Sequence, residues 1–220
     1  MRNGWRAVFS SLLLITSSVR AAHEEGPPEA TGIQAALRIG YAHPLGSFES
    51  GWSEIYETFR EQIPITLDVG TRIDPNLYLG GFLAVAPGGP GVHFEALCAR
   101  RDCTALGVRF GANLIRYFRP QKRFNPWFGF GIGGDISSFV VGEADGNATF
   151  SVRGVEFAIL SVGGDIRISR KIGFGPYLQY AFGVYTHHRV STPRYTHDEF
   201  LHEKEVHGWL TAGIRVVLFP

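Results

Sequence analysis

From residue 32 onward the chain alternates with a period of two, and its two phases carry different chemistry. Ile33, Ala35, Leu37, Ile39 and Tyr41 alternate with Gln34, Ala36, Arg38 and Gly40. Ile63, Ile65, Leu67 and Val69 alternate with Thr66, Asp68 and Gly70. Residues 106–114, 128–136, 158–168, 174–184 and 210–218 repeat the scheme, while 77–86 is apolar on both phases around Gly80 and Gly81. A two-residue period places successive side chains on opposite faces of a strand, and no helical period competes over a comparable length. The expectation is an all-β chain of about eight strands. One face is aliphatic and aromatic. The other is glycine, small residues and eight charges: Arg38, Asp68, Arg72, Arg109, Asp135, Asp165, Arg167 and Arg215.

The connections alternate as well. Long polar stretches follow the first, third, fifth and seventh segments, at 44–62, 87–103, 138–155 and 186–206. Short ones follow the second, fourth and sixth, at Asp74-Pro75-Asn76, 119–126 and 169–171. In the first of these Pro presets φ, and Asp and Asn bond their local backbone, as a tight turn requires. Long loops at one end and tight turns at the other describe an up-and-down antiparallel meander. Strands of about ten residues, tilted, match the hydrocarbon thickness of a bilayer.

The direction of the apolar phase decides the function class. A secreted lipocalin-like barrel would hide it around a small apolar ligand and show Lys, Glu and Gln outside. A transmembrane β-barrel would turn it to lipid and keep polar groups in the lumen. The polar phase is poor in Lys and Glu and rich in Gly, Ala, Ser and Thr, which suits a narrow interior. Its five Arg and three Asp are expected to pair there, because unpaired buried charge is costly. The transmembrane reading is preferred. A mean hydropathy of +0.02 excludes a polytopic helical membrane protein, and a net charge of +1 gives no pull toward nucleic acid.

Aromatic residues cluster at segment ends: Tyr117, Phe118, Trp127, Phe128, Phe174 and Phe219 beside the short turns, Tyr41 and Tyr185 beside the long loops. They are expected to form two interfacial girdles at headgroup level.

Residues 1–21 have the form of a secretory signal peptide, with Arg2 and Arg6 before a short apolar run and small residues at Val19 and Ala21. Cleavage after Ala21 would leave a short extension, 22–31, and a barrel, 32–219, with net charge −2. Cys98 and Cys103 enclose four residues in a loop-rich stretch, so in an oxidising compartment a structural disulfide is expected.

On the signal peptide, strand pattern, loop asymmetry and terminal segment VHGWLTAGIRVVLFP, the chain resembles the small outer-membrane β-barrels of Gram-negative bacteria, the OmpA/OmpX-like eight-stranded group, across residues 32–219. The resemblance implies short turns and both termini in the periplasm and four long loops at the cell surface. Members of that group usually end in an aromatic on the outward phase. Here Phe219 is out of phase with Leu210–Leu218, so either Leu218 takes that place or a bulge shifts the register.

Chemistry candidates are few. The last long loop holds His187, His188, His197, His202 and His207 with Asp198, Glu199, Glu203 and Glu205. It has no H-E-x-x-H spacing and is read as a solvated polar loop, with no metal or other cofactor assigned. The glycine run 129–134 sits in a strand pattern with no following helix, which removes a phosphate-loop reading. Asn147-Ala-Thr149 marks only a surface loop. The H-x-S pair used by lipid-trimming barrel enzymes is absent, so a lipid-modifying enzyme is the less favoured alternative and no catalytic residue is assigned. The expected protein is a monomeric outer-membrane barrel with a lumen filled by Arg/Asp pairs. It would contact membrane lipid around its belt and an unidentified extracellular partner at its loops.

Overall fold

A computed structural model describes residues 31–47, 54–143, 146–201 and 205–220. The signal peptide and nearly all of the N-terminal extension lie outside these residues, as do His202 and Glu203. Among these residues are ten strands: β1 (Gly32–Leu45), β2 (Phe59–Gln62), β3 (Ile65–Asp74), β4 (Leu77–Pro90), β5 (Cys103–Tyr117), β6 (Phe124–Glu143), β7 (Gly146–Arg167), β8 (Ile172–Ser191), β9 (Thr196–Phe200) and β10 (Val206–Leu218). Eight of them close a ring by antiparallel pairing in the order β1, β3, β4, β5, β6, β7, β8, β10. The ring is sealed by an unbroken register from Ala35 opposite Leu218 to Leu45 opposite Gly208. β2 and β9 are short additions at the long-connection end.

The alternation sets which residues meet lipid. Leu37, Ile65, Leu83, Phe110, Phe130, Val162, Leu178 and Ile214, one from each ring strand, are all exposed on the outer wall. A soluble barrel buries its apolar phase, so the lipocalin-like alternative is set aside. No helix among the described residues is long and apolar enough to cross a membrane, and the strands do so instead. The tight turns close as their chemistry dictates. Asp74 Oδ1 accepts the Asn76 N–H at 2.7 Å, and Ser169 Oγ accepts the Ile172 N–H at 3.1 Å. β10 carries no bulge, so Leu218 faces outward and Phe219 turns inward.

The long connections depart from the expected loops. β6, β7 and β8 run 20, 22 and 20 residues, so most of 138–155 is a hairpin standing beyond the membrane belt. The connection at 186–206 continues β8 and folds back as β9. The first connection forms a helical turn, α1 (Ile55–Thr58), leading into β2, and the second a 3₁₀ turn (Val92–Phe94) leading into α2 (Glu95–Cys98). Ile55 and Phe59 insert among Ala42, Ala105, Phe139, Val152, Tyr185 and Trp209, and Phe94 packs on Phe139 at 4.7 Å. This apolar cluster lies at the long-connection end of the barrel.

Candidate functional site: the lumen and its folded cap

Below the cap the lumen is polar and arranged in three groups. Nearest the mouth, Arg109 and Asp135 face each other across the β5–β6 pairing. The Arg109 Nε lies 3.8 Å from Asp135 Oδ2 and 3.5 Å from Glu156 Oε1, and its Nη2 donates to Gln62 Oε1 at 3.1 Å. Ser137 and Tyr185 donate to the two oxygens of Asp135 at 3.1 and 3.0 Å. The Arg109 guanidinium also rests 4.3 Å over the Trp209 ring, and His207 stacks on Tyr185 at 3.9 Å.

In the middle, Arg38 forms a forked pair with Asp68, both contacts 2.8 Å. Its Nη1 donates to Gln179 Oε1 at 2.6 Å, and Asn113 donates to Asp68 at 2.7 Å. Two bonds in parallel fix orientation as well as energy, and such a pair is stable in a dry interior only when its remaining lone pairs are also occupied. Arg38 stands directly opposite Arg215 in the β1–β10 register. Like charges there would repel, and the conflict is relieved by bonding to different carboxylates, Arg38 to Asp68 and Arg215 to Asp165.

At the short-turn end three arginines meet one acid. Arg215 donates to Asp165 at 3.1 Å and to the Tyr117 hydroxyl at 2.9 Å. Trp127 Nε1 donates to the other Asp165 oxygen at 3.2 Å, and Gln34 donates to the Tyr117 hydroxyl at 2.8 Å. The excess positive charge lies over aromatic faces: Arg72 at 4.3 Å from Tyr117, Arg167 at 4.4 Å from Phe219 and Arg215 at 4.8 Å from Trp127. Ring quadrupoles attract such cations most where water is excluded.

This corrects the expected girdles. Phe118, Phe128, Phe174 and Tyr41 do face outward. Tyr117, Trp127, Tyr185 and Phe219 are 0–4% exposed and face the lumen. They sit on the glycine phase of their strands, and position along a strand cannot override side-chain direction. The reason for large rings on a small-residue face is local: Gly163 leaves room beneath the Trp127 indole, where an added Cβ would come within 2.5 Å of it, and Gly40 does the same for the Tyr177 hydroxyl.

Glu156 is the acid that sequence reading missed. One extra residue in β7 shifts the register after Glu156 on both sides, so the inward positions change from even to odd numbers there. The signal was the apolar pair Val155 and Phe157 flanking it, opposite in parity to the pattern of 158–168. Gln34, Gln62, Tyr78, Tyr177 and Gln179 also complete the interior. In the cap, Cys98 and Cys103 are joined with their Cα atoms 5.5 Å apart, tying α2 to the start of β5.

Between the middle and mouth groups is a void of about 10 Å³, lined by Arg38, Thr66, Phe82, Arg109, Glu156, Tyr177 and Gln179. That is about the room one water needs. A larger concavity of about 610 Å³ lies at the short-turn end, lined by Pro75, Asn76, Phe118, Arg119 and Lys122 among others.

A closed eight-stranded ring with an apolar outer wall and an ion-paired interior defines a transmembrane β-barrel of the outer-membrane type. No family model matches the chain, and no curated protein matches it by sequence. The chain is similar to several solved structures. Neisserial surface protein A is 14% identical, with 86% of this chain and 99% of that chain covered and a TM-score of 0.49. The outer-membrane protein AlkL is 13% identical, with 90% and 94% covered and a TM-score of 0.49. OprG from Pseudomonas aeruginosa is 12% identical, with 85% and 96% covered and a TM-score of 0.46.

Proposed function

We propose that the protein is exported through its signal peptide to the outer membrane, where it serves as a closed, non-enzymatic barrel that presents a folded surface at its long-connection end. The observation that carries this reading is the side-chain packing of the interior. Among the described residues, buried side chains line the lumen from the Ile55–Phe59 cluster to the Phe219 ring, and a void of about 10 Å³ lies between two of the arginine groups. Eight strands enclose a space that side chains can fill, which argues against a general pore. The buried acids Asp68, Asp135, Glu156 and Asp165 all face arginines, an arrangement that supports holding the barrel together rather than catalysis. The long-connection end carries more structure: three short helical turns, a disulfide and two hairpin extensions form a surface suited to meeting an extracellular partner.

The refolded protein in a planar lipid bilayer is expected to give no stable open conductance levels. Long-lived steps scaling with salt concentration would overturn the closed-lumen reading. Residence is tested separately by fractionating cells and comparing gel mobility with and without boiling in SDS. A boiling-dependent shift in the outer-membrane fraction is expected.

A further inference from the structure

The last connection has no linear metal motif, but its fold creates a cross-strand one. β8 passes beyond the membrane belt to Ser191, turns through Thr192–Tyr195 and returns as β9. In that register His188 is opposite Glu199 and Val190 is opposite His197. Alternation therefore puts His188, His197 and Glu199 on one face of the hairpin, while His187, Arg189, Asp198 and Phe200 take the other. His187 packs its ring on Phe200 at 3.9 Å and is occupied there.

On the first face the donor atoms of His188, His197 and Glu199 all lie within 4.8 Å of one another. His197 Nε2 is 3.0 Å from Glu199 Oε2, and the two imidazole centroids are 6.1 Å apart. A tetrahedral cation with ligands at about 2.0–2.2 Å needs its donors somewhat closer together than the widest of these separations. The side chains of His197 and Glu199 are 59% and 49% exposed, so rotation can close the set without moving the backbone. Two imidazoles and one carboxylate are the donors of borderline divalent metals, whereas calcium and magnesium prefer oxygen alone.

We propose that His188, His197 and Glu199 form a surface site for a divalent transition cation of the zinc, copper or nickel class. Three ligands come from the chain, and the remaining coordination position is open to water or to a donor on a bound molecule. The site stands at the end of the protein farthest from the short turns, and it is independent of whether the lumen conducts. It replaces the solvated-loop reading of this segment, whose premise was the absence of a helical spacing that a β-hairpin does not need.

The test is isothermal titration of the refolded full barrel in detergent micelles with zinc chloride, then nickel chloride. One saturable site per chain is expected. His188→Ala, His197→Ala and Glu199→Gln should each weaken it roughly 10-fold or more, and the H188A/H197A double variant should abolish it. His187→Ala, on the opposite face, and His93→Ala, in the second connection, should leave the affinity unchanged. Each variant is first shown to keep the boiling-dependent mobility shift, and Glu199→Gln, nearly isosteric, supplies the reading if a His variant loses it. Absence of saturable heat with both metals would overturn the proposal, as would a zinc site whose affinity is the same in the double variant or in Glu199→Gln.

Discussion

In the closed-lumen reading proposed above, Ile55, Phe59, Phe139 and Trp209 stop the lumen at the long-connection end by leaving water. At the short-turn end it is stopped by Arg72, Arg167 and Arg215 against Asp165, Tyr117, Trp127 and Phe219, which seal it by compensating one another's charge. The first stopper is partly built from chain between ring strands, since Ile55 and Phe59 belong to α1 and to β2, which lies outside the ring. The second is built from the ring strands and the residue that directly follows β10. A stopper made of inserted chain can be loosened without opening the ring. One made of paired strand residues is part of ring closure itself, because its groups come together only when β3, β5, β6, β7 and β10 have been brought around the ring.

This difference predicts an ordered set of mutational effects. Arg215→Ala leaves the Asp165 carboxylate, with 0% side-chain exposure, beside fewer cations and an empty guanidinium site. Breaking a buried pair from one side costs about 3–5 kcal/mol, so urea unfolding of the micelle-bound barrel should shift by that amount. Replacing both members, Asp165→Asn with Arg215→Leu, should cost less than the single change, and an equal cost would show that the pair is not the cause. Phe59→Ala should cost about 3 kcal/mol for a buried ring lost from the cap. Here the loss should be local, with the boiling-dependent gel shift retained and protease cleavage in the long connections accelerated. If the gel shift disappears instead, the cap and the ring are one unit and the contrast between the two ends fails.

Two smaller effects sharpen the picture. The double change Cys98→Ser and Cys103→Ser opens a loop with sequence separation 5, for which chain entropy gives about 2 kcal/mol. Thermal melting followed by near-ultraviolet circular dichroism should show it in the cap signal, and reducing agent should reproduce it in the unaltered protein. Trp127→Phe keeps the ring under Arg215 and removes the N–H donated to Asp165 at 3.2 Å. A hydrogen bond to a charged group is worth about 1.5 kcal/mol, so this should be the mildest change, read from the same urea curves.

How far the sequence could be read depends on whether a property is local. Parity alone assigned the outward set and the eight lumen charges to opposite faces, because a strand cannot choose the direction of one side chain independently of its neighbours. The same rule already placed Tyr117, Trp127, Tyr185 and Phe219 inward. Their place near strand ends suggests a girdle, but phase, not position along the strand, sets the direction of a side chain. Glu156 lay beyond a parity count, since the extra residue in β7 reverses the phase at that point. The long connections read as loops because polar residues in the aqueous portions of extended strands show no apolar face.

The sequence by itself determined that this chain would form strands and which phase would meet lipid, and it indicated about eight strands while leaving ten open. These follow from side-chain alternation and from turn chemistry such as Asp74-Pro75-Asn76. Tertiary structure decided which arginine meets which carboxylate, that three arginines rest on aromatic rings at one end, that Ile55 and Phe59 join a buried apolar cluster at the other, and that His188, His197 and Glu199 share a face. Those outcomes depend on the stagger between strands distant in sequence, which is set only when the ring closes and a single bulge can alter it.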